Sequence, residues 1–351
     1  MVASRREDVL RAKVVRLRWV ILLVAWTLLV LAPEERALAD PIVIKFSHVV
    51  SPDAPKGKAA LLFKQLAETY TNHRVTIEVY PNSSLYKDKE ELEALQLGSV
   101  QLLAPAIAKF GPLGVNKFDL FDLPFLISDG LHARQMMASP IMDDLNIELE
   151  DKGITPLAYW DNGAHVYTAN KPLLMPNDFE GLKMRIQGGR VQDAAARQLG
   201  VFPQIIAFGD LYQALQTGIV DGEDNVPSNI WTQKFYDIQK YLTVSNHQRL
   251  TYSLIANTTF WDSLPRDVRA EVERAVKETT DFFNETAAKD NAAALQQIEA
   301  SGKVQVHVLT DEEKKSWVTK LMPVHQEMQM RLGKDFIERV YKASGFVRPE
   351  S

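Results

Sequence analysis

The chain has 351 residues, 46% hydrophobic and 24% charged, with a formal net charge of −5 and no cysteine. That is an ordinary globular composition, large enough for about two domains. The missing cysteine excludes disulfides, thiol nucleophiles, cysteine metal sites and an acylated lipoprotein terminus, and the acidic balance argues against a nucleic-acid partner.

The first forty residues stand apart. Arg16 and Arg18 precede the apolar run WVILLVAWTLLVLA (Trp19 to Ala32), and Ala37-Leu38-Ala39 ends a short polar stretch. This is the order of a secretory signal: a positive region, an apolar region and a small-residue cleavage site. Fourteen apolar residues fall short of the roughly 20 that span a bilayer as a helix. The reading is therefore export and cleavage near Ala39/Asp40, against an uncleaved membrane anchor. Removing residues 1–39 takes away seven basic and four acidic residues, leaving 33 and 41 and a net charge of −8. An exported chain without disulfides is expected to be soluble in a bacterial periplasm, with no membrane insertion after cleavage.

From Asp40 the chain reads as a strand (PIVIKFSHVV), a polar loop (SPDAPKG) and a helix with apolar positions at Ala59, Leu62, Phe63 and Leu66. A second strand (RVTIEVYP) and a helix from Asp88 through ELEALQLG follow. Next come VQLLAPA, the apolar FDLFDLPFLI, a helix near Leu131 to Leu145 and the strand GITPLAYWDNG. Strands alternating with helices predict parallel-sheet units and an α/β fold, whose ligands lie beyond the carboxyl ends of the strands. HVYTANKP is another strand. GLKMRIQGG alternates, so that Lys183, Arg185 and Gln187 share one face and Leu182, Met184 and Ile186 the other; taken alone this is a half-buried strand with a wet side. From Arg266 to about Ala300 there is neither glycine nor proline, which predicts one helix of about 50 Å lying across two lobes. A break near Asn291 is the alternative. No repeat and no Gly/Ser/Pro linker is visible, so two lobes must be joined by structured crossings.

The chain carries no nucleophile elbow, no H-E-x-x-H and no phosphate-binding glycine loop, and its seven histidines show no metal-ligand spacing. No catalytic residue, cofactor or metal is expected. The sequons at Asn82, Asn257 and Asn284 are chance in a bacterial chain. Polar groups do collect at strand ends: His48, Lys56, Tyr86, Lys87, Asp161 to Gly163, Arg185, Gln187, Asn225 and Asn229. An arginine fork grips a carboxylate through two parallel hydrogen bonds. A small organic anion is the natural ligand of such a set. Against this stand plain structural roles: solvated charges at Lys56 and Lys87, core packing at Phe208 and a helix cap at Asn229.

The run from Phe208 to His247, FGDLYQALQTGIVDGEDNVPSNIWTQKFYDIQKYLTVSNH, resembles the periplasmic solute receptors of tripartite ATP-independent periplasmic (TRAP) transporters, in their C4-dicarboxylate-binding (DctP) branch. SHVVSPDAPKG, YPNSSLY, FDLPFLI, WDNG, GLKMRIQ and FWDSLP extend the likeness over the whole chain after Asp40. The resemblance implies a two-lobed periplasmic-binding-protein fold with hinge strands and a long helix spanning both lobes. It implies lobe I at 40–162 plus about 251–290, and lobe II at 163–250 plus about 291–351. It implies a non-enzymatic receptor that closes on succinate, malate or fumarate and delivers it to TRAP membrane subunits. Arg185 would pair with the ligand carboxylate, Asn225 and Phe208 would line the pocket, and His48 and Lys56 would supply contacts from the first lobe. PSNIWTQ, Pro227 to Gln233, matches the dicarboxylate members.

Two departures stand out. Many relatives place Arg or Lys where this chain has His165, and in some members that base meets an acid and a later histidine, here Asp224 and His247. Gly188 and Gly189 are unusual and bear on the size of the pocket floor. Other readings remain open: a receptor for another organic acid (a monocarboxylate, sugar acid or aromatic acid), a ligand-presenting sensor module, or an exported hydrolase or lyase.

Overall fold

The computed structural model describes residues 41–348; the expected signal segment and its cleavage site lie outside the described residues. In chain order the helices are α1 (Pro55–Tyr70), α2 (Glu91–Gln96), α3 (Gly130–Met137), α4 (Ile141–Glu150), α5 (Arg190–Gln198), α6 (Leu211–Gln216), α7 (Pro227–Thr232), α8 (Thr258–Ser263), α9 (Arg266–Ala300), α10 (Asp311–Leu332) and α11 (Lys334–Ser344). The strands form two sheets. In the first, β1 (Ile42–Ser47), β2 (Val75–Tyr80), β3 (Leu102–Leu103), β4 (Ile154–Ala164) and β10 (Arg249–Asn257) lie in the order β2-β1-β3-β10-β4. In the second, β5 (Val166–Ala169), β6 (Lys183–Ile186), β7 (Phe202–Ile205), β8 (Gly222–Asn225), β9 (Tyr241–Val244) and β11 (Gln305–Val308) lie in the order β11-β9-β5-β8-β6-β7.

The α/β expectation holds, and neither sheet is purely parallel. β1 pairs parallel with β2 and β3, but β10 runs antiparallel to β3 and β4; β5 runs antiparallel to β8 and β9. The antiparallel strands are those that leave one sheet for the other. β4 ends at Ala164 and β5 starts at Val166, so the first crossing turns on His165 alone. The second runs from β9 to β10, and the bidentate ion pair of Arg249 with Asp161, at 2.9 and 2.6 Å, clamps the two crossings together.

The third crossing is α9, a single helix of 35 residues as its freedom from glycine and proline predicts. It packs on α1 and β4 from the first sheet and on α7 beside the second. Asn291 does not break it. Its Nδ2 donates to the Asn162 and Ala287 carbonyls at 2.7 and 2.8 Å, and its Oδ1 accepts from the Ser228 amide at 2.9 Å. One side chain thus ties the helix to β4 and to α7. Gly163 makes room for it: its φ is +102°, and a Cβ there would lie 2.9 Å from the Asn291 amide nitrogen.

The helix expected near Leu131 to Leu145 is two. Asp129 caps α3 by accepting from the Leu131 and His132 amides, and Ser139-Pro140 separates it from α4, because proline cannot continue the hydrogen-bond ladder. The helix expected from Asp88 starts at Glu91, which leaves Asp88 free of the ladder. α10 packs on α5, and α11 packs on α3 and α4, so the largest apolar core joins helices that flank both sheets. Among the described residues no helix is long and apolar enough to cross a membrane.

Candidate functional site

β6 does not have a wet side. Lys183 is exposed, but Met184, Arg185 and Ile186 are buried, and Gln187 after them is buried as well. β6 lies between β7 and β8, and its arginine, unlike Lys183, is turned inward. Arg185 is 2% exposed. Its Nε donates to the Ile206 carbonyl at 3.1 Å, its guanidinium carbon lies 5.9 Å from the Phe208 ring centroid, and its Nη1 has no hydrogen-bond partner among the described residues.

That guanidinium borders a cavity between the two sheets. Arg185, Gln187, Phe208, Asn225, Asn229 and Lys56, separated by up to 173 positions in sequence, all line it. His48, His165 and Tyr86 do not line it. His48 is buried directly after β1 with its ring edge against Phe46. Burial, and then the charge of Lys56, push its imidazole down to about 3, so it is neutral. Tyr86 is half-buried and packs against the apolar core.

Four further polar side chains line it that no motif or strand-end position singles out: Asp88, Glu91, Lys109 and Tyr252. Lys109 pairs with Asp88 at 2.9 Å and also donates to the Gln187 carbonyl. Lys56 donates to the Ala104 carbonyl at 2.8 Å and sits 3.7 Å over the Tyr252 ring. Burial lowers the Lys56 ammonium to about 8, against the raising pull of Glu91 and Asp88. Tyr252, pushed up to about 12 by burial, is approached by the Asn229 and Asn162 amides at 3.2 and 3.4 Å. Asn229 also donates to Asn225 Oδ1 at 2.9 Å, and Asn225 donates to Glu223 Oε2 at 3.1 Å. Burial lifts Glu223 to about 8, so it stands protonated at neutral pH and leaves the Arg185 charge uncompensated. The only signal for Lys109 in the sequence was a lone cation in the apolar stretch AIAKFG.

The cavity is bridged at its mouth. The Phe208 amide donates to Asp88 at 3.3 Å, Lys109 reaches the Gln187 carbonyl, and Lys87 pairs with Asp210 at 2.7 Å on the surface. Each contact joins a residue between β2 and β4 to one between β6 and α6. Gly188 and Gly189, which follow Gln187, have φ of +122° and +101°; a Cβ on Gly189 would lie 3.4 Å from the Ala108 carbonyl oxygen. These glycines serve the backbone turn into α5 and its close approach to the other side of the cleft.

Behind the cavity, His165, Asp224 and His247 meet. His165 Nδ1 lies 2.6 Å from Asp224 Oδ2, His247 Nε2 lies 3.5 Å from the same oxygen, and His247 Nδ1 bonds Ser245 at 2.7 Å. Tyr167 stacks on His247 at 4.3 Å. Burial alone would raise the Asp224 carboxyl, but the charge and hydrogen bond of His165, joined by His247, outweigh it and hold the group well below the usual carboxylate range. Burial lowers His247, against the raising pull of Asp224. Two imidazoles and a carboxylate with ligand atoms within 4.8 Å are a donor set that could hold a metal ion. Here the nearest of them are taken up with each other, and the cluster fixes the β4–β5 and β9–β10 crossings around one acid.

Comparison with known proteins follows the same lines. A family model described as bacterial extracellular solute-binding protein, family 7 (DctP) matches residues 46–332. The C4-dicarboxylate-binding periplasmic protein DctP of Rhodobacter capsulatus is 54% identical over 322 residues, 92% of this chain and 97% of the relative. A TRAP periplasmic solute binding protein from Shewanella oneidensis, solved with bound succinate, superposes with a TM-score of 0.84 at 37% identity, covering 87% of this chain and 99% of that one. One from Pseudomonas aeruginosa with bound L-malate gives 0.79 at 39% identity, covering 82% and 100%.

Proposed function

The chain belongs to the DctP family of bacterial extracellular solute-binding proteins, family 7, and on that premise we propose that it is a periplasmic receptor that captures a C4-dicarboxylate and delivers it to a TRAP-type membrane transporter. The observation that carries this reading is the Arg185 guanidinium: buried, with an Nη1 that has no partner among the described residues, beside a cavity also lined by Lys56 and Lys109. A dicarboxylate brings two charges and a short chain. One carboxylate takes the arginine fork; the other meets the lysines across the cleft.

Lys56 and Lys109 come from the chain around the first sheet, and Arg185, Phe208, Asn225 and Asn229 from the second. Only a closed cleft lets one small ligand touch both groups, so binding shifts the protein toward closure. The two sheets are the two lobes, with boundaries at the strand crossings near residues 162 and 250. Asn225 and Asn229, each held by neighbours, set the length and shape of the ligand. The receptor performs no chemistry on its cargo. Export through residues 1–39 places it in the periplasm.

The test is thermal unfolding with a panel of acids. Ligand binding raises apparent stability by RT ln(1 + [L]/Kd), about 2.7 kcal/mol at a hundredfold excess over Kd. Succinate, malate or fumarate are expected to raise the melting temperature. If none does while a sugar acid or monocarboxylate does, the dicarboxylate assignment fails. Chemical conversion of a bound acid, followed by NMR, would contradict the receptor reading.

A further inference from the structure

Glu91, at the start of α2, lines the cavity and is 2% exposed, yet no hydrogen bond or ion pair engages its carboxyl among the described residues. The neighbouring cations make their contacts with other groups, Lys109 with Asp88 at 2.9 Å and Lys56 with the Ala104 carbonyl and the Tyr252 ring, each keeping N–H donors for a ligand. A buried, unpaired carboxylate is unfavourable by itself, and more so beside an incoming anion.

We propose that Glu91 enters the ligand complex protonated, donating its O–H to a ligand carboxylate, so that capture of a dicarboxylate draws one proton from solvent into the cavity. This rests on the dicarboxylate reading above. Charge balance in the cavity requires it. The cavity wall holds three cations, Lys56, Lys109 and Arg185, and two acids, Asp88 and Glu91. With both acids ionised the wall carries one net positive charge, and a dianion leaves one negative charge uncompensated in a buried space. With Glu91 protonated the wall carries two, and the complex is neutral.

The other groups nearby do not disturb that count. His48, beside Lys56, is neutral. Tyr252 stays a phenol. Glu223, behind Arg185, is held neutral by burial and bonded to Asn225, and Asp224 lies outside the cavity wall, bonded to His165. Burial lifts Glu91 itself to about 7, against the charge of Lys56 and with the help of Asp88. The proton is therefore available near neutral pH, and a bound dianion raises the group further.

Titration calorimetry with succinate, in buffers of different ionisation enthalpy near pH 8, reads the proton directly. The wild-type protein is expected to take up close to one proton per ligand more than Glu91→Gln, in which only the fraction from Lys56, lowered to about 8, remains. The wild-type Kd weakens by at least about tenfold per pH unit above the free Glu91 value and is flat below it, and Glu91→Gln loses the Glu91 share of that dependence. No proton uptake by the wild type overturns the proposal, as does uptake undiminished in Glu91→Gln, which would assign the proton to Lys56. Should Glu91→Gln not fold, infrared difference spectra of the wild type decide: a new protonated-carboxyl C=O band on adding succinate supports the proposal, and its absence overturns it. Absence of binding heat with succinate, malate and fumarate alike is a distinct outcome that removes the dicarboxylate reading itself.

Discussion

Replacing Asp224 by Asn removes the acid shared by the two strand crossings. Asp224 and His165 are buried and 2.6 Å apart, and His247 stands 3.5 Å from the same oxygen. Breaking a buried pair by deleting one partner costs about 3–5 kcal/mol, because the other is left without compensation. Spread over the unfolding entropy of a chain of this size, that is a fall in melting temperature of roughly 5–8 °C. The folded Asp224 carboxyl is depressed, so its contribution is complete above the unfolded carboxylate value of about 3.9 and is lost as pH falls through the folded value. Circular-dichroism melts at neutral pH without ligand therefore read the full effect. The His165→Asn/Asp224→Asn double variant is expected to lose less than the sum of the single variants, by about 0.5–3 kcal/mol. A single Asp224→Asn variant melting within about 1 °C of wild type, with additive double-variant losses, would refute the account of the crossing.

Other substitutions probe the frame. Asn291→Ala leaves the Asn162 carbonyl and the Ser228 amide without their partner; a loss of about 2–4 kcal/mol in urea unfolding is expected, and a loss under about 0.5 kcal/mol would show that water replaces the strut. Gly189→Ala forces a side chain onto a φ of +101° close to the Ala108 carbonyl and is expected to cost about 1–3 kcal/mol; an unchanged melt would mean the turn relaxes freely. Lys87→Ala breaks an ion pair whose side chains are 47% and 50% exposed. Its ligand-free melting curve is expected to match wild type, and a lowered melting temperature would mean the surface contact has a structural role.

What could be read in the sequence depended on whether the signal was local. The length of α9 was legible because helix continuity needs only the absence of breakers. The alternation of Lys183, Arg185 and Gln187 was equally legible, but its burial was not, since that is decided by what covers β6. Antiparallel pairing of β4 with β10 leaves no local mark either, because it joins segments about ninety residues apart. The site divides in the same way. Arg185, Gln187 and Asn225 stand at or just after strand ends, and Asn229 in the first turn of the helix that follows β8, where a reader of α/β sequences looks. Glu91 sits in ELEALQLG and reads as one more solvated helix acid; only the fold turns it into the cavity. Tyr252 lies inside a strand, between Thr251 and Ser253, and nothing local marks it as facing a ligand. His48 and Tyr86 also follow strand ends, yet their side chains pack away from the cavity, since position along a strand does not fix which way a loop residue turns.

The most direct test of the central claim is titration of succinate or malate into the wild-type protein and into Arg185→Ala, with melts confirming that both are folded. The wild type is expected to bind. Loss of a charge-assisted pair at a buried site costs about 2–5 kcal/mol, so Arg185→Ala is expected to weaken Kd by at least about thirtyfold. A folded Arg185→Ala variant that binds the dicarboxylate as tightly as wild type would contradict the claim that this arginine holds the ligand.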